Sequence, residues 1–232
     1  MVLAIMQPYF LPYIGYFQLL NVVDRFVLYD DVNFINRGYI NRNNILVNGK
    51  ASLFSIPLKE ASQNKLIREI ALADDNSWQK KFCRTVEQSY KKAPQFEQVF
   101  PVFLDIMGYT PENVGDFCRY ALVKIAQHLS INTEIVPSST IYHNAELRKE
   151  ERILDICRIE KATRYINPQG GVELYEKGEF AAKGVELSFL KARLTPYPQF
   201  GNTFVPGLSI LDVLMFNDVG QVQELLQHYE LA

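Results

Sequence analysis

The chain has 232 residues, 48% hydrophobic and 22% charged, with a formal net charge of −2. That length can bury a full core in one large domain or two small ones, and the near-neutral balance gives no bulk attraction to nucleic acid or to an anionic membrane. Cys83, Cys118 and Cys157 are widely spaced with no CxxC pair, which argues against a zinc site and against a secreted disulfide framework.

In chain order, the opening "MVLAIMQPYF" lacks a basic leader and a long apolar stretch, so a cytoplasmic protein with no membrane insertion is expected. "VLAIM" reads as a buried strand ended by Gln7-Pro8, "IGYFQLLNVVD" as one short helix, and "RFVLYDDV" as a second strand closing on Asp30-Asp31. Strand, loop, helix and strand make a βαβ unit and imply a parallel sheet. "NNILVNGKASLFSIPL" flanks Asn48-Gly49 with two β-rich runs, the strongest local signal for a hairpin. "KLIREIAL" fits a strand or a short helix. Three helical segments follow: one from Ser77, capped by Asp74 or Asn76, a second, "QFEQVFPVFLDIM", broken at its proline, and a third started by Thr110-Pro111-Glu112. Each cysteine falls in a helical pattern, where a buried thiol is expected.

The βα alternation then resumes. "TEIVPSS" reads as a strand, "AELRKEERILDICRIEKA" as a helix, "TRYINP" as a strand, "YEKGEFAAKG" as a short helix stopped by Gly184, and "VELSFL" as a strand. "LSILDVLMFN" and "VGQVQELLQHYEL" close the chain as helices, with Ser209 as N-cap and Asp212 at its N3 position. With no repeat or linker, residues 1–232 read as a single α/β domain, a parallel sheet carrying an inserted hairpin and helical segment at about 37–129.

Ligands of open parallel sheets bind beyond the carboxyl ends of the strands. Gln7-Pro8-Tyr9, Asp30-Asp31, Pro137-Ser138-Ser139 and the turn Gln169-Gly170-Gly171 fall at such ends. Tyr9, Tyr13 and Tyr16 offer aromatic walls for a base or sugar, Gln7 and Gln199 amide contacts, and Gly15 a close approach. "RGYINRNNI" concentrates Arg37, Asn41, Arg42 and Asn43 without an acid. Arginine forks match phosphate or carboxylate, and Asp30 or Asp31 would serve as general base or as a magnesium ligand. The structural alternative is a solvated loop whose arginines pair with those aspartates. Tyr197 lies with Gln199 in the loop before Ser209. His128, His143 and His228 lack ligand spacing, so no metal site is read; Mg²⁺ is the one cofactor the aspartates would suit.

The layout from Gly15 to Tyr29 resembles the first βαβ of nucleotidyltransferases of the HIGH superfamily, and implies a Rossmann-like sheet. Tyr13-Ile14-Gly15-Tyr16 stands where H-x-G-H would, and Asp24 precedes "RFVLYDD". Both histidines are tyrosines, with a pKa of about 10, so adenylyl transfer is not carried over. "MQPYFLPYIGYFQLL", "TRYINPQGG" and "YPQFGNTFVPGLSILDVLMFN" together resemble the WbqC-like family over nearly the whole chain. That resemblance implies a role in bacterial O-antigen and surface-polysaccharide biosynthesis: a transferase passing glycine or another small acyl group to a nucleotide-linked sugar. The partners it implies are a nucleotide-sugar or an activated acyl donor. A non-catalytic nucleotide- or sugar-binding protein and a histidine-less nucleotidyltransferase are the alternatives.

Overall fold

The computed structural model describes residues 1–75, 77–201 and 203–232. Its centre is a six-stranded sheet built from β1 (Val2–Met6), β2 (Arg25–Leu28), β5 (Glu134–Val136), β6 (Arg164–Pro168), β7 (Glu186–Ala192) and β8 (Tyr229–Leu231), in the order β5-β2-β1-β6-β7-β8. All neighbours are parallel except β7 and β8. A separate antiparallel hairpin joins β3 (Arg42–Val47) to β4 (Lys50–Ser55). Its turn holds Asn48 and Gly49 at φ 50° and 74°, the left-handed pair a two-residue hairpin demands.

Apolar runs without alternation are the mark of strands covered on both faces. In β1, Ala4 enters one core while Leu3 and Ile5 enter the other. Phe26 and Leu28 of β2 divide from Val27 in the same way. The larger core is closed by α1 (Ile14–Val22), α2 (Ser77–Tyr90), α3 (Phe96–Gly108), α4 (Val114–His128), α7 (Ile210–Phe216), α8 (Val219–Leu225) and the hairpin. The smaller is closed by α5 (Lys149–Ile159) and α6 (Lys177–Ala182), through Ile153, Ile156, Cys157 and Phe180. Among the described residues, no helix is long and apolar enough to cross a membrane.

Four expectations are corrected. The sheet is not wholly parallel: the tail read as helix through Leu231 stops at Leu225, and Tyr229–Leu231 adds antiparallel to β7. Pairing with an existing edge outweighs the helical pattern of so short a tail. Pro101 does not break its helix; α3 runs from Phe96 to Gly108 with Pro101 inside it, held by stacking of Phe96 on Phe100 and by the buried Phe103. α4 begins at Val114 rather than at Thr110, because the Asn113 side chain accepts from the Asp116 amide and supplies the cap. "KLIREIAL" takes the second of its two readings, as a short 3-10 helix at Ile67–Glu69. The proposed cap Asn76 lies outside the described residues; the proposed cap Asp74 instead pairs with Lys59.

Candidate functional site

From β1 the sheet grows in two directions, to β2 and β5 on one side and to β6 and β7 on the other. Such a reversal opens a crevice beyond the carboxyl ends of the strands, and the loop after β1, Gln7 to Tyr13, stands there. Two prolines narrow its path, and the bulky Leu11 sits at φ 45° immediately before Pro12. A left-handed residue of that kind costs about 1–3 kcal/mol, so its surroundings must hold it. The Leu11 carbonyl accepts from Asn43 Nδ2 and from Ser209 Oγ, each at 2.8 Å. On either side, Phe10 N–H donates to Ile40 and Pro12 accepts from Ile210 N–H. The loop is thus clamped between β3 and the start of α7.

This clamp presents a cleft of about 350 Å³ lined by Tyr9, Pro12, Tyr13, Tyr39, Asn43, Leu194 and Gly207. The Tyr9 and Tyr39 rings are tilted with centroids 6.1 Å apart. Burial, then the neighbouring phenols, push the Tyr9 and Tyr13 hydroxyls above their ordinary pKa, so both are neutral donors near neutral pH. No hydrogen bond engages the hydroxyls of Tyr9, Tyr13 or Tyr39 among the described residues, and no charged side chain lines the cleft. Tyr16 differs: it is buried, and its hydroxyl donates to the Gln7 carbonyl at 2.9 Å, so it braces the loop from beneath. At Gly15 a Cβ would sit 2.4 Å from the Tyr13 ring; the glycine lets that ring lie over the first turn of α1.

The aspartates occupy a second position along the same strand ends. Asp30 Oδ1 accepts from Ser138 Oγ at 2.7 Å and from the Ser139 amide at 3.2 Å. Its other oxygen has no partner among the described residues, and burial raises its pKa against those bonds. Asp31 is buried and spoken for on both oxygens, by Ser139 Oγ and by Arg152 Nη2, the latter at 2.6 Å. Arg152 also donates to Asn144 and lies over the Tyr29 ring, 4.8 Å from its centroid.

The remaining predicted residues are more internal. Arg42 donates to the carbonyls of Gly38 and Arg37, and so folds its own loop rather than reaching an aspartate. Asn41 donates to the Ile56 carbonyl. Arg37, at φ 61°, shapes the turn. Gly170 stands in open space, whereas a Cβ on Gly171 would collide with the Asn167 amide at 1.7 Å. Tyr197 and Gln199 donate to the buried carboxylate of Asp212 at 2.6 and 2.7 Å, and Tyr90 donates to its other oxygen at 2.8 Å. Burial raises the Asp212 pKa from its ordinary value against the opposing pull of those three donors.

The structure therefore brings Tyr9, Tyr13 and Asn43 together in one cleft and Asp30 with Asp31 in another cluster. It adds Tyr39, Leu194 and Gly207 to the first and Ser138, Ser139 and Arg152 to the second. Arg152 left a trace in the sequence: a charge one turn before Ile156, on the apolar stripe of its helix. A larger cavity of about 480 Å³ lies at the opposite, amino ends of β6 and β7, lined by Leu154, Arg158, Lys161 and Val185 among others, and includes none of the predicted residues.

The model of the WbqC-like protein family matches residues 7–224, from the clamped loop through α8. The chain belongs to the WbqC-like protein family. The uncharacterized protein Rv1507c of Mycobacterium tuberculosis is 28% identical over 231 residues, spanning 97% of each chain. No solved structure matches this chain. The matched span of this WbqC-like protein includes both the tyrosine cleft and the carboxylate cluster.

Proposed function

We propose that this WbqC-like protein is a cytoplasmic transferase of bacterial surface-polysaccharide biosynthesis, passing glycine or another small acyl group to a nucleotide-linked sugar. The tyrosine cleft carries this reading. Three phenol hydroxyls without partners among the described residues, set beside the Pro12 face, make a neutral, hydrogen-bonding pocket of ligand-ring size, with the buried Asn43 amide holding the loop that carries two of them; such a pocket suits a sugar and not a bare anion. Counted in chain order, the parallel strands run 3-2-1-4-5, which supports a Rossmann-like layout with its ligand at the reversal.

Asp30 is the general base in this reading, because it keeps one unpartnered oxygen and burial raises its proton affinity. Asp31, fixed by Arg152, positions it through the shared Ser139. Asp30 takes a proton from the acceptor amine or hydroxyl as that atom attacks the acyl carbonyl. The new amide or ester bond forms as the bond between the acyl carbon and the donor's leaving group breaks, and the leaving group takes up the proton from Asp30, which returns to the carboxylate. Mg²⁺, where a substrate phosphate brings it, would meet the same free Asp30 oxygen.

Isothermal titration against nucleotides and nucleotide-linked sugars tests the proposal. Saturable binding is expected, weakened about tenfold, or roughly 1.4 kcal/mol, by Tyr13→Ala or Tyr39→Ala. Asp30→Asn is expected to keep binding and lose transfer. Absence of binding across the panel would sink the reading. A second reading, binding without turnover, is favoured by the internal engagement of Asp31 and Arg42; it requires that Asp30→Asn change nothing but affinity.

A further inference from the structure

The hairpin leaves one edge unpaired. β3 and β4 pair with Val47 opposite Lys50 across the two-residue turn, so the register turns the main-chain groups of Ala51, Leu53 and Ser55 away from β3. The bond from Ile56 N–H to the Asn41 carbonyl continues the same alternation. Two residues further on, this outer edge already acts as a template. Lys59 N–H donates to Ala71, Ala73 N–H donates to the Pro57 carbonyl, and Leu58 faces Leu72 as an antiparallel bridge. α2 begins at Ser77, and from Ser55 back to Ala51 no strand among the described residues takes the place of that pairing.

What borders the vacant edge is a groove of about 340 Å³ between β4 and α2, lined by Leu53, Phe54, Trp78, Lys81, Phe82 and Thr85 among others. Its α2 wall has helical spacing, so those four side chains form a continuous flank along the strand. The floor is aromatic, with Phe54 and Phe82 at a centroid separation of 4.5 Å. Leu53 is 58% exposed, and Trp78 Nε1 is buried without an acceptor among the described residues. Lys81 is the one charged residue in the lining, no acid lines the groove, and Lys81 has no acidic partner among the described residues.

We propose that the outer edge of β4 is the docking site for an extended, acidic peptide segment of a partner protein. The segment adds antiparallel to β4, continuing the line begun by Ala71–Ala73. Main-chain bonds to Ala51, Leu53 and Ser55 supply register, and the alternate side chains on one face enter the groove, apolar ones over the aromatic floor and an acidic one against Lys81. The open edge, with the unpaired Lys81 on its α2 flank and no acid in the lining, selects that occupant.

Trp78 is the chain's only tryptophan, so its emission reports the groove directly. The probes are a short capped peptide with Val, Glu and Val at alternate, groove-facing positions and Ser between them (the Val-Glu peptide), its Val-Lys counterpart with Lys in place of Glu, and the Val-Glu peptide N-methylated at alternate residues. The Val-Glu peptide is expected to change the emission saturably, the Val-Lys peptide to bind about tenfold more weakly, and N-methylation to abolish binding. Lys81→Glu is expected to reverse the charge preference. Leu53→Pro removes an outward N–H at an edge position where proline is tolerated, and is expected to abolish binding with the circular dichroism unchanged. N-methylation tests the same bond from the peptide side should that variant fail to fold. No emission change, binding that survives N-methylation, or a preference for Val-Lys would each overturn the proposal. So would a concentration-dependent dimer dissociated by Leu53→Pro, which would make the occupant a second copy.

Discussion

The place of the Tyr13 ring depends on the missing side chain at Gly15. A Cβ there would stand 2.4 Å from the ring tip, and the ring, being the far end of a side chain, can swing away. Gly15 is also inside α1, where alanine is favoured over glycine by about 0.5–1 kcal/mol. Gly15→Ala is therefore expected to leave thermal stability unchanged or slightly raised while weakening ligand binding about tenfold. A calorimetric melt and a binding titration on the same sample check both halves; intact affinity would show that the ring position is immaterial. The sequence displayed these tyrosines as a cluster, because aromatics beside a strand end are visible in one dimension. It did not separate Tyr16, which braces Gln7, from Tyr9 and Tyr13, which face the cleft, since that division depends on the turn at Leu11. Tyr39 escaped notice because its approach to Tyr9 spans thirty positions of chain.

Between elements, the buried Asp212 carboxylate joins α7 to α2 through Tyr90 and to the loop before α7 through Tyr197 and Gln199. Tyr90 in turn accepts from the Leu46 amide of β3. Tyr90→Phe leaves that amide and one Asp212 oxygen without partners, and is expected to cost about 1–3 kcal/mol in urea unfolding. A loss below about 0.5 kcal/mol, the range of ordinary surface changes, would count against the network. The pH dependence has a definite sign. Burial raises the Asp212 pKa, so the folded chain binds more protons than the unfolded one from the ordinary carboxylate range up to that raised value. The Asp212 contribution to stability therefore falls as pH rises through this window, and Asp212→Asn is expected to flatten that slope in melts taken across it. The capping role of Ser209 and the N3 place of Asp212 were legible, because both are local. The partners of Asp212 were not, since Tyr90 lies in a different helix. The same contrast holds for β8, whose strand state comes from β7 and not from its own residues.

At the scale of the molecule, the parallel sheet separates a large core from a small one, and the α5 layer over the small core is tied to the carboxyl end of β2 by one buried ion pair. Arg152 and Asp31 have side chains 3% and 6% exposed, and Asn144 links Arg152 onward to Asp155. The alternation of strands and helices was readable because each element carries its own period; the tie was not, because it spans 121 positions. Removing one partner from such a pair leaves a buried charge uncompensated, which outweighs what the intact pair contributes. Arg152→Met is accordingly expected to destabilise the protein by about 3–5 kcal/mol. The Asp31→Asn, Arg152→Met double variant removes the stranded charge and should recover most of that loss, with a coupling energy of about 3 kcal/mol, at the upper end for residues in contact. Chemical unfolding of the wild type, both single variants and the double variant closes the cycle. Additive losses would mean that the two residues act separately. Strong coupling would mean that α5 and the carboxylate cluster form one mechanical unit, so that Asp30 is held in place by the small core as well as by its own strand.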